Sequence, residues 1–266
     1  MKKILIGVLL VVLLAIEGGL IAIAATTNLS QTMSSGTKSV ASDASTTLTG
    51  LTVSHTWQTA TGSFAIDPKN SIGDGAKWDV TMTTNNLTTI GPVRTVAGSN
   101  TITTGGRYDG TYGEASPVKR YGVRIADGGA VGTATYQWRV DDGTWSAAAY
   151  TAATVILEKG VQVNFSGSYE AGDEWAIGVD VFRYTNLTVT PGTITADSGS
   201  TVGMTAGSSG TFVGPDSQAT SDPRTLITTE YYRGMGDYAQ TISLSQVVHP
   251  NSIAGTYTGI ATITIL

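Results

Sequence analysis

The sequence predicts an all-β protein in which a β-sandwich is interrupted by a second, inserted β-sandwich module. Apolar and polar residues alternate at period two in segments from Leu48 to the C-terminus, as in half-buried strands. Gly-rich and Asp-Gly turn sequences separate these segments at regular spacing, which is typical of sandwiches. After the N-terminal apolar run, no segment has helical periodicity.

The N-terminus predicts a signal peptide over residues 1–25. Lys2 and Lys3 precede the apolar run Ile4–Ile16, and the small residues of Ala22–Ala24 suit cleavage. The alternative is a retained membrane anchor, although Glu17 to Gly19 interrupt the apolar run. We therefore expect an extracellular protein of the cell surface that contacts the membrane only transiently, through the signal peptide.

The composition excludes several functional classes. The chain contains 0 Cys, so thiolate metal sites and cysteine nucleophiles are excluded, and stability must come from an apolar core. The net charge is −5, and removal of two Lys and one Glu with the signal peptide makes it more negative. We expect no nucleic-acid partner, because nucleic-acid binding requires basic patches.

The chain divides into segments by composition. Residues 26–46 are rich in Ser and Thr and predict a flexible leader. Residues 47–95 begin the first sandwich, in which Trp78, Val80 and Met82 alternate with polar residues. Before that strand, Asp67–Asn70 and the glycines around Asp74 have the composition of a turn.

The central segment, residues 96–183, has the clearest strand pattern. Its alternating runs are centred on Val123, Trp138, Val163 and Ile177, and Asp141-Asp142-Gly143 predicts a hairpin turn. Residues 184–266 return to Thr-rich strands. The last of these is predicted as one strand from Ala254 to Leu266, with Tyr257, Ala261, Ile263 and Ile265 on one face.

The outer segments resemble the WxL family of Gram-positive cell-surface domains. Three stretches carry the resemblance: Gly62 to Met82 with its Trp strand, the Gly-rich turn Gly234 to Tyr238, and Pro250 to Ile265. The sequence reads Trp78-Asp79-Val80 rather than Trp-x-Leu, and the closing Ile263-Thr264-Ile265 lacks a Trp. The resemblance implies non-covalent attachment to peptidoglycan.

The central segment resembles a short β repeat of phage structural and bacterial surface proteins. The resemblance rests on the following stretches: Tyr121–Ile125, Val131–Trp138, Asp142–Trp145, Gly160–Phe165 and Ala171–Trp175. It implies a structural or accessory module. Together the two resemblances predict a WxL-like sandwich, residues 47–95 and 184–266, with residues 96–183 inserted, because insertion at a surface loop is tolerated when its ends lie close together.

The sequence offers little for catalysis. There are 2 His, His55 and His249, and no nucleophile elbow or two-His zinc motif accompanies them. Paired carboxylates could hydrolyse glycosides. The candidates lie in turns or at strand starts: Glu158, Glu170, Asp173 and Glu174. We expect a protein that is not an enzyme and that requires no cofactor.

Two features are candidate sites. Asp67, Asn70 and Asp74 provide hard oxygen ligands suited to calcium, and the alternative is an ordinary Asx turn. Trp145 follows a turn and is the Trp most expected to be exposed, where its ring could stack on a ligand. Trp78, Trp138 and Trp175 are in phase with buried positions and are expected in the core.

The function expected from these features is non-covalent association with the cell envelope and display of a β module for adhesion or scaffolding. Expected partners are cell-wall glycan or other surface proteins. The alternative is a structural subunit of an extracellular fibre or surface layer, in which copies self-associate by strand-edge pairing.

Overall fold

A computed structural model of the chain describes residues 36–108, 118–215 and 220–266. The predicted signal peptide lies outside these ranges. The protein is all-β, with 55% strand and 1% helix, which confirms the predicted fold class. Within the described ranges, no helix has the length and apolar character required to cross a membrane.

The described residues form 19 strands and a short 3-10 helix at Tyr184–Asn186. The strands are β1 Lys38–Ser42, β2 Gln58–Asn70, β3 Asp79–Thr84, β4 Leu87–Ala97, β5 Thr103–Gly106, β6 Lys119–Asp127, β7 Gly129–Ala130, β8 Thr135–Val140, β9 Ala149–Tyr150, β10 Val155–Ile156, β11 Val161–Asn164, β12 Ser168–Tyr169, β13 Glu174–Phe182, β14 Leu187–Gly199, β15 Met204–Ala206, β16 Gly210–Thr211, β17 Arg224–Thr229, β18 Gly236–Val248 and β19 Ala261–Ile265.

The first and last parts of the chain together build one pair of antiparallel sheets, which we call the terminal sandwich. Their strand orders are β1-β2-β18-β14-β16 and β15-β17-β3-β19. One apolar cluster fills the space between them. Val80 and Met82 of β3, and Trp78 just before that strand, are buried in it, as predicted. Ile263 and Ile265 of β19 pack against the same cluster, so strands from both ends of the chain share one core.

The middle of the chain builds a second apolar cluster, in what we call the central module. Its main sheet has the order β4-β13-β6-β8-β9, and two small sheets, β10-β11-β5 and β12-β7, accompany it. Trp175 is fully buried there, as predicted, whereas Trp138 is only half-buried against the cluster. The buried members of this cluster run from Ile102 to Val181, without a residue from the terminal sandwich.

The two clusters meet along one pair of strands rather than at a loop. Strand β4 pairs with β13 from Leu87↔Phe182 to Ala97↔Glu174. Leu87 packs against the core of the terminal sandwich, whereas Ile90 and Val93 pack against that of the central module. The change of core therefore falls within β4, near Ile90, and the predicted domain boundaries at 95/96 and 183/184 stay a prediction.

Two local predictions in the first segment were wrong. Lys38–Ser42, within the predicted flexible leader, forms strand β1 on the edge of β2. Asp67–Asn70 is not a turn but the end of β2, because the inward alternation of Ile66 continues through Pro68 to Asn70. Asp67 and Pro68 do not pair with β18. This interruption of the ladder accommodates Pro68, because proline has no backbone N–H to donate.

The prediction of one closing strand over Ala254–Leu266 was also wrong. Strand β19 begins only at Ala261, and the preceding residues form a loop. Thr258 makes an isolated bridge to Thr88. The Tyr257 hydroxyl donates to the buried carboxylate of Asp180 instead of sharing a face with Ile263. These contacts hold the segment away from a regular ladder, although its sequence alternates.

Candidate functional site

Trp145 lies over the outward face of the main sheet of the central module. The chain turns after β8 at Asp141, which has a left-handed φ of 50°. Ser146 then pairs with Trp138 of β8: its N–H donates to the Trp138 carbonyl at 2.8 Å, and its Oγ accepts from the Trp138 N–H at 3.0 Å. These bonds hold Trp145 beside the outward residues of β8.

The Trp145 ring contacts two guanidinium groups. Arg124 lies 4.2 Å and Arg139 lies 4.4 Å from the ring centroid. Gly122 faces Arg139 across the strands and lies two residues from Arg124. A Cβ at Gly122 would lie 3.4 Å from the ring and 3.2 Å from the Arg139 side chain. A larger residue at Gly122 would crowd the arginine and the ring. We call Trp145 with Arg124 and Arg139 the Arg–Trp surface.

Hydrogen bonds orient Arg124, and an ion pair holds Arg139. Arg124 donates from Nε and Nη2 to Oε1 of Gln137, at 3.1 and 2.9 Å. Arg139 lies 3.6 Å from the carboxylate of Glu174, and both side chains are partly exposed. Trp145 itself is only half-exposed, so the prediction of an open ring holds in part. A half-exposed indole beside oriented guanidinium groups can stack on a planar or sugar ligand and donate hydrogen bonds to it.

The structure does not bring the three calcium candidates together. Asp67 and Asn70 are three residues apart in β2, so their side chains lie on opposite faces. Asn70 accepts from the Ile72 N–H at 3.1 Å, and Asp74 accepts from the Ala76 N–H at 2.9 Å. Both are Asx-type bonds, the alternative interpretation of this sequence. No group of three His, Cys, Asp or Glu in the described ranges is arranged to hold a metal.

A polar cluster that sequence reasoning missed lies on β13. Asp180 is fully buried and accepts hydrogen bonds from the Ile253 N–H at 3.2 Å, from the Tyr257 hydroxyl and from its neighbour's N–H. Its Oδ1 also lies 2.9 Å from Nε2 of His249. The Tyr257 ring stacks on Phe182 with centroids 3.8 Å apart. Asp180 thus ties the loop between β18 and β19 to the central module.

The cluster contains the residue types of a Ser-His-Asp triad, but its bonds anchor a loop. The Ser252 hydroxyl donates to the carbonyl oxygen of His249 at 2.7 Å, while its distance to Nδ1 of that ring is 3.4 Å. Burial and the hydrogen bond to Asp180 raise the pKa of Tyr257, so its phenol is neutral and donates to the carboxylate. The hydroxyl groups of Ser252 and Tyr257 are therefore directed at acceptors within the fold.

An open cleft of about 880 Å³ lies beside this loop, at one end of the terminal sandwich. One wall is the irregular segment Ser45–Ser54, and the other is the loop from Ser252 to Gly259. Apolar side chains of both sheets line it, including Leu244 of β18 and Met82 of β3. Leu51 and Val53 on its wall are 41% and 52% exposed, so the cleft continues into an apolar surface.

Comparisons with known proteins identify no relative of this chain. No protein-family model, no curated protein and no solved structure matches it. The assignment of function therefore depends on the residues and geometry described above.

Proposed function

We propose that this protein associates non-covalently with the cell envelope through its terminal sandwich and displays the central module for adhesion. The observation that carries the proposal is the separation of the two apolar clusters, with the Arg–Trp surface on the outward face of the second. The Arg–Trp surface could therefore contact an external ligand while the terminal sandwich is attached to the envelope. The resemblance of the outer segments to WxL domains supports peptidoglycan as the attachment partner, and export is proposed from the N-terminal sequence.

Sedimentation with purified peptidoglycan tests this proposal. The mature protein should pellet with peptidoglycan, and Trp145→Ala should pellet equally, because the displayed module is not the anchor. Both must be washed at high salt, since an acidic protein can be retained by bridging cations and such exposed contacts are screened. Protein that stays in the supernatant would contradict attachment, and loss of pelleting in Trp145→Ala alone would assign the anchor to the central module.

A second candidate function is that of a fibre subunit assembled by strand-edge pairing. Among the described residues, β19 pairs only with β3 and forms one edge of its sheet. Ala261, at the start of β19, also lines the apolar cleft. An unpaired edge next to an apolar groove is the arrangement that accepts a strand from another chain. Filaments in electron micrographs of the mature protein would favour this function over envelope attachment.

A further inference from the structure

We propose that the outward face of the main sheet of the central module binds an anionic glycan, in the trough between Arg94 and the Arg–Trp surface. This inference rests on the proposed display of the module, and it assigns a chemical class to the ligand. It follows from the placement of four arginines, the size of the side chains between them and the charges that remain unpaired.

The sheet register places the arginines on one face. Ala176 of β13 pairs with Arg94 of β4 on one side and with Gly122 of β6 on the other. Gly122 in turn pairs with Arg139 of β8. Side chains alternate along strands, so Arg94 and Arg139 share the outward face with Arg120 and Arg124, two residues to either side of Gly122.

Small residues separate the arginines and form the floor of the trough. Ala176 and Gly122 lie between Arg94 and Arg139 in the sheet register. Glu174, two residues from Ala176 on the same face, extends toward Arg139. Strands β4 and β6 are two interstrand spacings apart, about 10 Å, which leaves room for a single extended chain. At one end the trough is closed by Ile253, which fills the space where Gly91 and Gly178 lack side chains.

Two of the four arginines on this face have no ion-pair partner among the described residues. Arg139 is paired with Glu174 and Arg120 with Asp142. Arg94 has no ion-pair partner in the part of the chain that the structure describes, and Arg124 is hydrogen-bonded only to neutral Gln137. Two guanidinium groups without an ion-pair partner therefore lie on this face of a protein whose net charge is −5. The face also carries the carboxylate of Asp127, which accepts a hydrogen bond from the Thr135 hydroxyl.

These features select an anionic glycan. Guanidinium groups bind carboxylate and phosphate by charge-assisted hydrogen bonds, and the exposed part of the Trp145 indole offers apolar surface to a sugar. A neutral glycan would use the ring but not the unpaired charges. Uronic-acid carboxylates and the phosphates of wall polymers share this chemistry, and the test below separates them.

The test compares binding of the mature protein to polygalacturonate, poly(glycerol phosphate) and neutral dextran at low salt. We expect binding to at least one anionic polymer and none to dextran, and the anionic polymer that binds identifies the charged group. Arg94→Gln, Arg124→Gln and Trp145→Ala should each weaken binding about tenfold. Arg233→Gln, an exposed position of the terminal sandwich with the same charge change, should leave it unchanged.

Three results would overturn the inference. They are equal binding of dextran, unchanged binding in Arg94→Gln, and a loss in Arg233→Gln as large as that in Arg94→Gln, since the last would mean attraction by net charge alone. Sedimentation with peptidoglycan stripped of anionic polymers measures the proposed attachment separately. A protein that does not sediment with stripped peptidoglycan but still binds the anionic polymer would contradict the proposed attachment and support the assignment of the ligand.

Discussion

Two tryptophans of the central module show how environment decides the role of a residue. Trp175 is fully buried, donates from Nε1 to the Asn100 carbonyl at 3.0 Å and meets Tyr169 edge to face. Trp145 lies outside the sheet, is partly exposed and has two guanidinium groups against its ring. The first side chain contributes to stability, whereas the second is available to a ligand.

Substitution of the two rings should therefore have unequal costs. Trp175→Ala should lower the free energy of unfolding by about 3–5 kcal/mol, because it leaves a cavity in a packed core. Trp145→Ala should cost about 1–2 kcal/mol, the value of two partly exposed cation–π contacts. Denaturant melts of both variants measure the difference. If Trp145→Ala were the costlier change, the assignment of the buried and the exposed ring would be reversed.

At the scale of the element, the loop between β18 and β19 depends on Asp180. Its carboxylate accepts hydrogen bonds from Ile253 and Tyr257, and Phe182 stacks on the Tyr257 ring. Ile253 also occupies the space above Gly91 and Gly178. The loop therefore packs across β4 and β13 and joins the end of the chain to the central module.

The Tyr257 hydroxyl should make this anchor sensitive to alkaline pH. Because the folded state raises the pKa of Tyr257 above the value of 10.0 expected in the unfolded chain, it holds the phenol proton more tightly. The resulting stabilisation is complete below about pH 10 and is lost as pH rises toward the folded-state pKa. Tyr257→Phe lacks this stabilisation at every pH. At neutral pH its free energy of unfolding should be lower by about 1.5–3 kcal/mol, because the hydrogen bond to Asp180 is lost.

Urea melts of the wild-type protein and Tyr257→Phe, at about pH 8 and about pH 11, test this expectation. The gap in unfolding free energy between the two proteins should narrow at the higher pH. A gap that stayed constant or widened would mean that the hydroxyl is not held by Asp180 as a neutral donor.

The sequence correctly predicts the strands in which apolar and polar residues alternate and no contact from a distant part of the chain overrides that pattern. Strands around Val80, Val123 and Ile177 follow directly from period two. The segment before Ala261 has the same pattern but is held as a loop by Asp180 and Thr88, which are distant in sequence. The sole signal for this anchor was a carboxylate within the apolar run of β13.

The candidate site was also predictable only in part, because some of its features are local in sequence and others depend on contacts between distant strands. Trp145 follows a turn, so exposure could be expected from the sequence. Its partners Arg124 and Arg139 depend on the register of β6 against β8, and the opposing Arg94 depends on that of β4 against β13. Register between strands is set by the whole fold, and a single sequence does not contain it. The calcium candidates failed to converge because Asp67 and Asn70 lie in a strand rather than a turn.

At the scale of the whole molecule, the two cores predict that the terminal sandwich folds without the central module. Ile90↔Val179 and Thr89↔Asp180 are facing pairs of β4 and β13. Replacing residues 91–178 by Asn-Gly should therefore close a two-residue hairpin at Ile90 and Val179. Asp180 and Phe182 stay in the variant, so the hydrogen bonds and stacking that hold Tyr257 are preserved. A cooperative melt of this variant establishes that it is folded.

Sedimentation of this hairpin-closed variant with purified peptidoglycan, beside the full mature chain, tests the proposed function most directly. Since attachment is assigned to the terminal sandwich, the variant should pellet as completely as the full chain and stay in the pellet at high salt. A folded variant that remains in the supernatant, while the full chain pellets, would contradict that assignment and place the anchor in the central module.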